Sequence, residues 1–179
     1  MSVAFTWGTD EAERRRPYPC DGLVAGAEAE YYRGITVRAG AATLFRWLCQ
    51  LRTAPYSYDW IDNGGRGSPR TLTPGLDALA IGQSVMRILR LEDFEIPRHL
   101  TLALPPGTPA ARVFGALAVS YVVVPITAGQ CRLLVKLAIR YRRGARGWLM
   151  RRLLPWGDLV MMRRQLLNLK RLAEISAGR

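Results

Sequence analysis

The last part of the chain carries a regular apolar pattern that predicts a long amphipathic helix. From Asp158 to Glu174, large apolar residues recur at spacings of three and four, which places them on one side of a helix. We predict Asp158 as the N-cap of this helix and Gly178 as its stop, and we expect a break before it at Pro155-Trp156-Gly157. The apolar positions are Leu159, Met162, Leu166, Leu169 and Ala173.

Alternation of apolar and polar residues predicts antiparallel strands upstream of this helix. Glu30–Arg38 alternates, and Ala41–Arg52 then changes to helical spacing. After Gly82 the alternation returns and predicts a meander that includes a strand at His99–Leu104. Gln130–Arg142 is the cleanest strand, with apolar residues on one face and basic residues on the other. The whole pattern predicts five clear strands.

The uncharged stretch Val113–Cys131 has two interpretations. Its length is just sufficient for a transmembrane helix. The β-branched run Val122–Val124, followed by Pro125 and Gly129, instead favours a strand over Val113–Val124 that forms a hairpin with the next strand. We favour the hairpin.

Positive charge is concentrated toward the end of the chain. The net charge is +12 over 179 residues, and almost all of it falls after Cys131. One interpretation is a solvated basic face, and the other is an anionic partner: nucleic acid, an acidic protein or a membrane. Nucleic acid is the weakest of these, because the sequence contains no recognisable helix-turn-helix or zinc pattern and lacks the interleaved surface aromatic residues of single-strand binders.

The remaining composition suits one domain in a reducing compartment. Cys20, Cys49 and Cys131 are far apart and lack CxxC spacing, so we expect neither a metal site nor any cofactor. No hydrophobic segment follows the early arginines, which argues against a secretory signal and favours a cytoplasmic protein. We expect an irregular N-terminal arm over residues 1–29 and a single ligand-binding domain over residues 30–179.

The segment Ala54–Ala80 mixes aromatic rings, carboxylates and turn-forming glycines. In one interpretation the aromatic residues are packing anchors and the carboxylates cap turns. In the other, these side chains line or gate the mouth of a pocket.

Two stretches resemble a known superfamily. Ile35–Leu48 looks like the opening strand and helix of the START-related helix-grip superfamily (SRPBCC; polyketide cyclase/dehydrase and lipid-transfer type), and Met161–Glu174 resembles its closing helix. The resemblance implies an α+β helix-grip fold in which a curved antiparallel sheet wraps around the long C-terminal helix. It also implies an internal cavity for an apolar or aromatic molecule. Members include carriers, cyclases and dehydratases, so the resemblance supports a cavity more strongly than it supports any one reaction.

These expectations lead to two functions in one cavity. The first is binding or transfer of a hydrophobic small molecule or lipid, although the same side chains could simply fill a closed core. The second is a polyketide cyclase/dehydratase-like enzyme, for which Asp59, Asp62 and His99 are the candidate acid–base residues. The candidate lining residues are Tyr56, Tyr58, Trp60, Tyr121, Leu133, Val135, Leu137, Ile139, Met162 and Leu166.

The segment Tyr141–Trp156 predicts a second kind of contact. It combines arginines with tryptophan, leucine and methionine, a mixture typical of segments that lie in a membrane interface. We therefore expect a transient anionic membrane contact. The alternative is that the apolar residues of this segment are buried against the sheet. The basic residues of this expectation are Arg142, Arg143, Arg151 and Arg152.

Overall fold

A computed structural model describes residues 2–58 and 67–178, and its sheet is antiparallel. Within the described residues this sheet has six strands. The alternation after Gly82 predicted one strand from Val85 where the structure has two, Ser84–Val85 and Leu89–Glu95, because Met86 and Arg87 adopt positive φ between them. The strands are β1 (Ala29–Val37), β2 (Ser84–Val85), β3 (Leu89–Glu95), β4 (His99–Ala103), β5 (Ala116–Thr127) and β6 (Gln130–Arg140). They lie in the order β1-β6-β5-β4-β3-β2.

The described helices flank this sheet. The helix predicted after β1 is present, and its last turn is a 3₁₀ helix at Gln50–Arg52. Together with the long terminal helix it packs on the concave, inner face of the curved sheet, so the predicted α+β helix-grip architecture is confirmed. The helices are α1 (Val3–Thr6), α2 (Glu11–Arg15), α3 (Ala41–Cys49), α4 (Pro109–Phe114) and α5 (Ala145–Ala177).

Alternation along the central strands decides which side chains enter the core. In β6, Leu133, Val135 and Ile139 point inward and are fully buried beneath α5. On α5 the predicted stripe packs against them through Met162, Leu166, Leu169 and Ala173, while Leu159 is only partly buried. Each large side chain removed from water in this way contributes roughly 1.5–3 kcal/mol.

The predicted start of the terminal helix is wrong. Helix α5 is continuous for 33 residues, so Pro155-Trp156-Gly157 does not break it and Asp158 is not its N-cap. A proline inside a helix removes a hydrogen bond and costs about 3 kcal/mol. Pro155 is buried on the same side as Met162 and Leu166, and the packing of that side offsets the cost.

The uncharged stretch forms a strand, but with other bounds than predicted. Val113 lies in α4, which Thr108 caps and which Gly115 ends in a positive-φ conformation. Strand β5 then runs through Pro125 to Thr127, with a register shift at that point that accommodates the proline. Within residues 2–58 and 67–178, no helix combines the length and the hydropathy needed to cross a membrane.

The N-terminal arm, expected to be irregular, contains two short helices and crosses from one face of the sheet to the other. Helix α1 packs beside β1 and α5. The chain then passes the edge of β1, where the amide of Gly34 donates to the carbonyl of Trp7 over 3.0 Å. Farther on, Tyr18 and Cys20 pack on the outer face of the sheet in a second apolar cluster.

Candidate functional site

A cavity of about 340 Å³ lies between the sheet, α4 and the middle of α5. The exposed residues Ile88 and Gly157 lie at its rim, so it communicates with solvent. Most of its lining is apolar, which fits a binding site for a hydrophobic molecule. Its apolar side chains come from Met86, Ile88, Leu89, Leu104, Phe114, Leu117, Val119, Leu137, Leu154, Met161 and Met162.

Two of the polar groups in the cavity are bonded to each other. Tyr121 donates its hydroxyl to the Oε1 atom of Gln165 over 2.7 Å, and Gln165 donates from Nε2 to the carbonyl of Pro55 over 2.6 Å. These bonds join the centre of the sheet to α5 and to the chain after α3. Because they engage both ends of the Gln165 amide, they fix the wall of the cavity.

The third polar group is Asp158, which is held by a buried arginine. Arg33 donates from Nη2 to one carboxylate oxygen of Asp158 over 2.7 Å, and only 1% and 11% of their side chains are exposed. Arg33 also donates to the carbonyls of Tyr32 and Ala4. Burial raises the pKa of Asp158 to about 6, and the charge of Arg33 opposes that rise.

Asp158 lines the cavity, and only one of its two carboxylate oxygens is bonded to Arg33. Its Oδ2 atom accepts the bond from Arg33, whereas its Oδ1 atom has no hydrogen-bond partner among the described residues. An unpaired acceptor beside an apolar cavity favours a ligand that can donate to it. Within the same described part of the chain, the Nε atom of Arg33 is also buried without a partner.

A pair of tyrosines lies next to this ion pair. The hydroxyls of Tyr31 and Tyr141 are hydrogen-bonded to each other, and burial raises the pKa of both phenols. The Arg33 guanidinium lies 5.7 Å from the centre of the Tyr31 ring. Both phenols therefore stay neutral at physiological pH, and they place polar atoms between the sheet and the start of α5.

The structure brings three of the predicted lining residues to the cavity: Tyr121, Leu137 and Met162. The inner face of the sheet is longer than the cavity, so other inward-facing residues contact the rest of the core instead. Tyr56 packs edge-on against Trp47, with 6.1 Å between ring centres. The predicted residues buried in the core away from the cavity are Tyr56, Leu133, Val135, Ile139 and Leu166.

Among the described residues, the predicted Tyr58 and His99 do not line the cavity. Tyr58 lies under the guanidinium of Arg164, 5.9 Å from the ring centre. Because Leu100 and Leu102 of β4 point inward, His99 points to the outer face, where its Nε2 atom is 2.9 Å from Asp93. Asp59, Trp60 and Asp62 lie outside the described residues.

Sequence reasoning missed Arg33 and Gln165 and misassigned Asp158. A signal for Arg33 was present, because it occupies the same face of β1 as Tyr31 and Ile35, and a charge on an apolar face requires a buried partner. Asp158 is one of only two acidic residues after Cys131. Gln165 carried no such signal.

Comparisons with known proteins find the fold. No family model matches the sequence, and no curated protein matches it either. Among solved structures, the di-domain ARO/CYC protein BexL aligns with a TM-score of 0.50 at 17% identity, over 84% of this chain and 48% of BexL. The chain thus spans about half the length of that protein.

Other solved structures are covered almost completely. A protein from Thermus thermophilus aligns with a TM-score of 0.50 at 14% identity, over 83% of this chain and 99% of that one. One from Arthrobacter aurescens aligns with a TM-score of 0.50 at 12% identity, over 82% and 86% of the two chains. Such identities show the fold alone, and that fold is the helix-grip fold.

Proposed function

We propose that this protein binds an apolar small molecule or lipid in the cavity beneath α5. The observation that carries the proposal is the cavity itself: about 340 Å³ of space, lined mostly by apolar side chains and open at the rim. Ligand sites in proteins have this size and this kind of lining, with a few polar groups that orient the ligand. Helix-grip architecture supports the proposal because it sets a long helix across a curved sheet.

The polar groups narrow the class of ligand. Tyr121 bonds to Gln165 and Gln165 bonds to the carbonyl of Pro55, whereas Asp158 keeps one carboxylate oxygen that can accept a hydrogen bond from a ligand. A carboxylate accepts hydrogen bonds and repels anions. The preferred ligand is therefore an apolar molecule with one hydroxyl or similar donor, rather than a fatty acid or another carboxylate.

Displacement of the hydrophobic dye Nile red from the purified protein tests this class. We expect decanol to displace the dye better than decane, which lacks the donor, and better than decanoate, which carries a negative charge at neutral pH. With Asp158→Asn the penalty against decanoate should shrink, because the repelling charge is gone. Failure of Nile red to bind, or equal displacement by the three molecules, would contradict the proposal.

Asp158 also favours a second function, an acid–base enzyme in the same cavity. A carboxyl group whose pKa is near 6 exchanges protons readily at physiological pH, and this one lies beside the space that a ligand would occupy. In this candidate Asp158 is the reacting group instead of His99, which lies on the outer face of the sheet, while Asp59 and Asp62 stay predictions. Native mass spectrometry of the bound molecule before and after incubation separates binding from dehydration, since a dehydratase lowers the mass of its ligand by one water and Asp158→Asn should stop that loss.

A further inference from the structure

Helix α5 is apolar on two opposite sides. One side is the buried stripe, and the other is exposed to solvent over the first half of the helix. The exposed apolar side chains Leu149, Leu153, Trp156 and Val160 recur at spacings of four, three and four, and Trp148 lies beside them. Between 44% and 56% of each of these five residues is accessible. We call these five residues the outer apolar face.

This arrangement excludes one interpretation of the sequence. If these apolar residues were buried against the sheet, the arginines around them would be only a solvated rim. The structure instead buries Gly147 and Pro155 on the inner side and leaves Trp148 and Trp156 exposed. Isolated exposed apolar residues are normal, but Leu149, Leu153, Trp156 and Val160 lie on one side of one helix and form a continuous patch, which the exposed Trp148 extends at the start of the helix.

Arginines border the outer apolar face. Arg142, Arg143 and Arg146 are exposed at the start of the helix, and Arg152 lies over the ring of Trp148, 4.7 Å from the ring centre. No acidic residue occurs from position 142 to position 157. Arg151 differs from the others, because it pairs with Glu28 and stacks on Tyr141, so it is less available to a partner.

We propose that the outer apolar face and its arginines bind the protein to an anionic membrane, with the first half of α5 parallel to the surface. Tryptophan and leucine side chains insert at the depth of the lipid headgroups, and arginines at the flanks meet the phosphates. Exposed arginines each add attraction to an anionic surface, which salt weakens. Four exposed arginines are available for this contact: Arg142, Arg143, Arg146 and Arg152.

Charge favours a membrane over a second copy of this chain. In a dimer formed through the outer apolar face, the arginines of both copies would meet and repel one another. An anionic bilayer neutralises them while it takes up the apolar side chains. An acidic protein would satisfy the arginines, but the exposed tryptophan and leucine side chains beside them favour a bilayer.

The outer apolar face lies next to the rim of the cavity, which relates membrane contact to ligand binding. Leu154, Gly157 and Met161 line the cavity and alternate along α5 with residues of the outer apolar face. The cavity rim and the membrane-facing side are therefore neighbouring sides of one helix. The membrane proposal stands whether or not the cavity binds a ligand, since vesicle binding is measured on the protein alone.

Sedimentation with vesicles tests the proposal. We expect the wild type to sediment with phosphatidylcholine vesicles that contain phosphatidylglycerol, to remain in solution with pure phosphatidylcholine, and to dissociate as sodium chloride rises. Replacing Arg142, Arg146 and Arg152 with serine should weaken binding by about tenfold or more. The matched control replaces three exposed arginines elsewhere, Arg16, Arg90 and Arg98, and should retain most of the binding.

The apolar part of the face has its own test. The double variant Leu153→Ser and Trp156→Ser should lose binding, whereas Ile81→Ser with Ile126→Ser, two equally exposed positions elsewhere, should not. If the arginine variant and its arginine control lost binding equally, net charge alone would explain the attraction, and the proposal would be overturned. Equal losses in the two apolar variants would also overturn it. No sedimentation with either vesicle would also overturn it, as would a dimer that only the Leu153 and Trp156 changes dissociate.

Discussion

Arg33 of β1 and Asp158 of α5 are 125 residues apart in sequence, and they form a buried ion pair 2.7 Å long at the edge of the cavity. The pair joins an outer strand of the sheet to the middle of the terminal helix. Because Arg33 also donates to the carbonyl of Ala4, it ties the N-terminal helix into the same junction. One guanidinium thus holds three parts of the chain together around the site.

Removing one member of this pair should destabilise the protein strongly. Asp158→Leu leaves Arg33 charged and buried without its partner, and such changes cost about 3–5 kcal/mol. Urea unfolding followed by circular dichroism measures the change. The double variant Arg33→Met with Asp158→Leu should recover much of the loss, because no buried charge is left.

The exposed pair of Arg15 and Glu11 provides the control. Glu11→Ala should change the free energy of unfolding by less than about 1 kcal/mol, as is usual for a pair in solvent. Additive losses in the double variant of Arg33 and Asp158 would show that the two residues act independently.

The raised pKa of Asp158 predicts how its contribution to stability depends on pH. The folded state holds the proton more tightly than the unfolded state, with a pKa of about 6 against 3.8. This contribution is fully present below the unfolded value and is lost as pH rises through about 6. The loss should reach about 2–3 kcal/mol.

Asp158→Asn isolates this effect from the other carboxylates. The free energy of unfolding of the wild type, minus that of the variant, should fall between about pH 4 and pH 7 and then stay constant. A difference that rises with pH would mean that Arg33 outweighs burial and holds the pKa below its usual range.

Gly157 should allow the cavity to be closed without harm to the fold. A Cβ atom added there meets nothing within 4 Å, and the residue lies in helix α5. Gly157→Ala should therefore stabilise the protein by up to about 1 kcal/mol and keep Nile red binding. Gly157→Leu places a larger side chain at the rim and should weaken dye binding by roughly tenfold or more. Equal binding by both variants would place the ligand elsewhere.

Gly34 should be intolerant of any side chain. A Cβ atom on it would come within 2.7 Å of the carbonyl oxygen of Gly8, so Gly34→Ala must push the arm away from β1. We expect a loss of about 1–3 kcal/mol and faster trypsin cleavage after Arg14 and Arg15. Gly129→Ala is the control, since a Cβ there meets nothing within 4 Å. Unchanged cleavage in both variants would mean that the arm does not depend on this contact.

The fold was predictable because buried positions recur at regular spacings in the sequence. The alternation over Gln130–Arg142 identified β6 and its inward face, and the spacing of Met162, Leu166 and Leu169 identified the buried side of α5. These signals are local, and tertiary packing reinforces them. Resemblance to the helix-grip superfamily added the way in which the elements are arranged.

The site was less predictable because its residues do not recur at any regular spacing in the sequence. Asp158 follows Pro155-Trp156-Gly157, where local rules favour the start of a helix, and the burial of Pro155 overrides those rules. Its partner Arg33 lies far away in sequence, so no local pattern links the two. The exposure of Trp148 and Trp156 likewise depends on how α5 is oriented, which composition does not specify.

The two edge strands of the sheet affect whether neighbouring molecules can associate with one another through their strands. At one end, the carbonyl of Trp7 occupies the amide of Gly34, and at the other, β2 offers only two residues. Long unpaired strand edges are what allow proteins to add to one another as fibres. Molecules gathered side by side on a bilayer would therefore lack a ready template for growth, and we expect them to remain dispersed at surface densities where an open-edged sheet would polymerise.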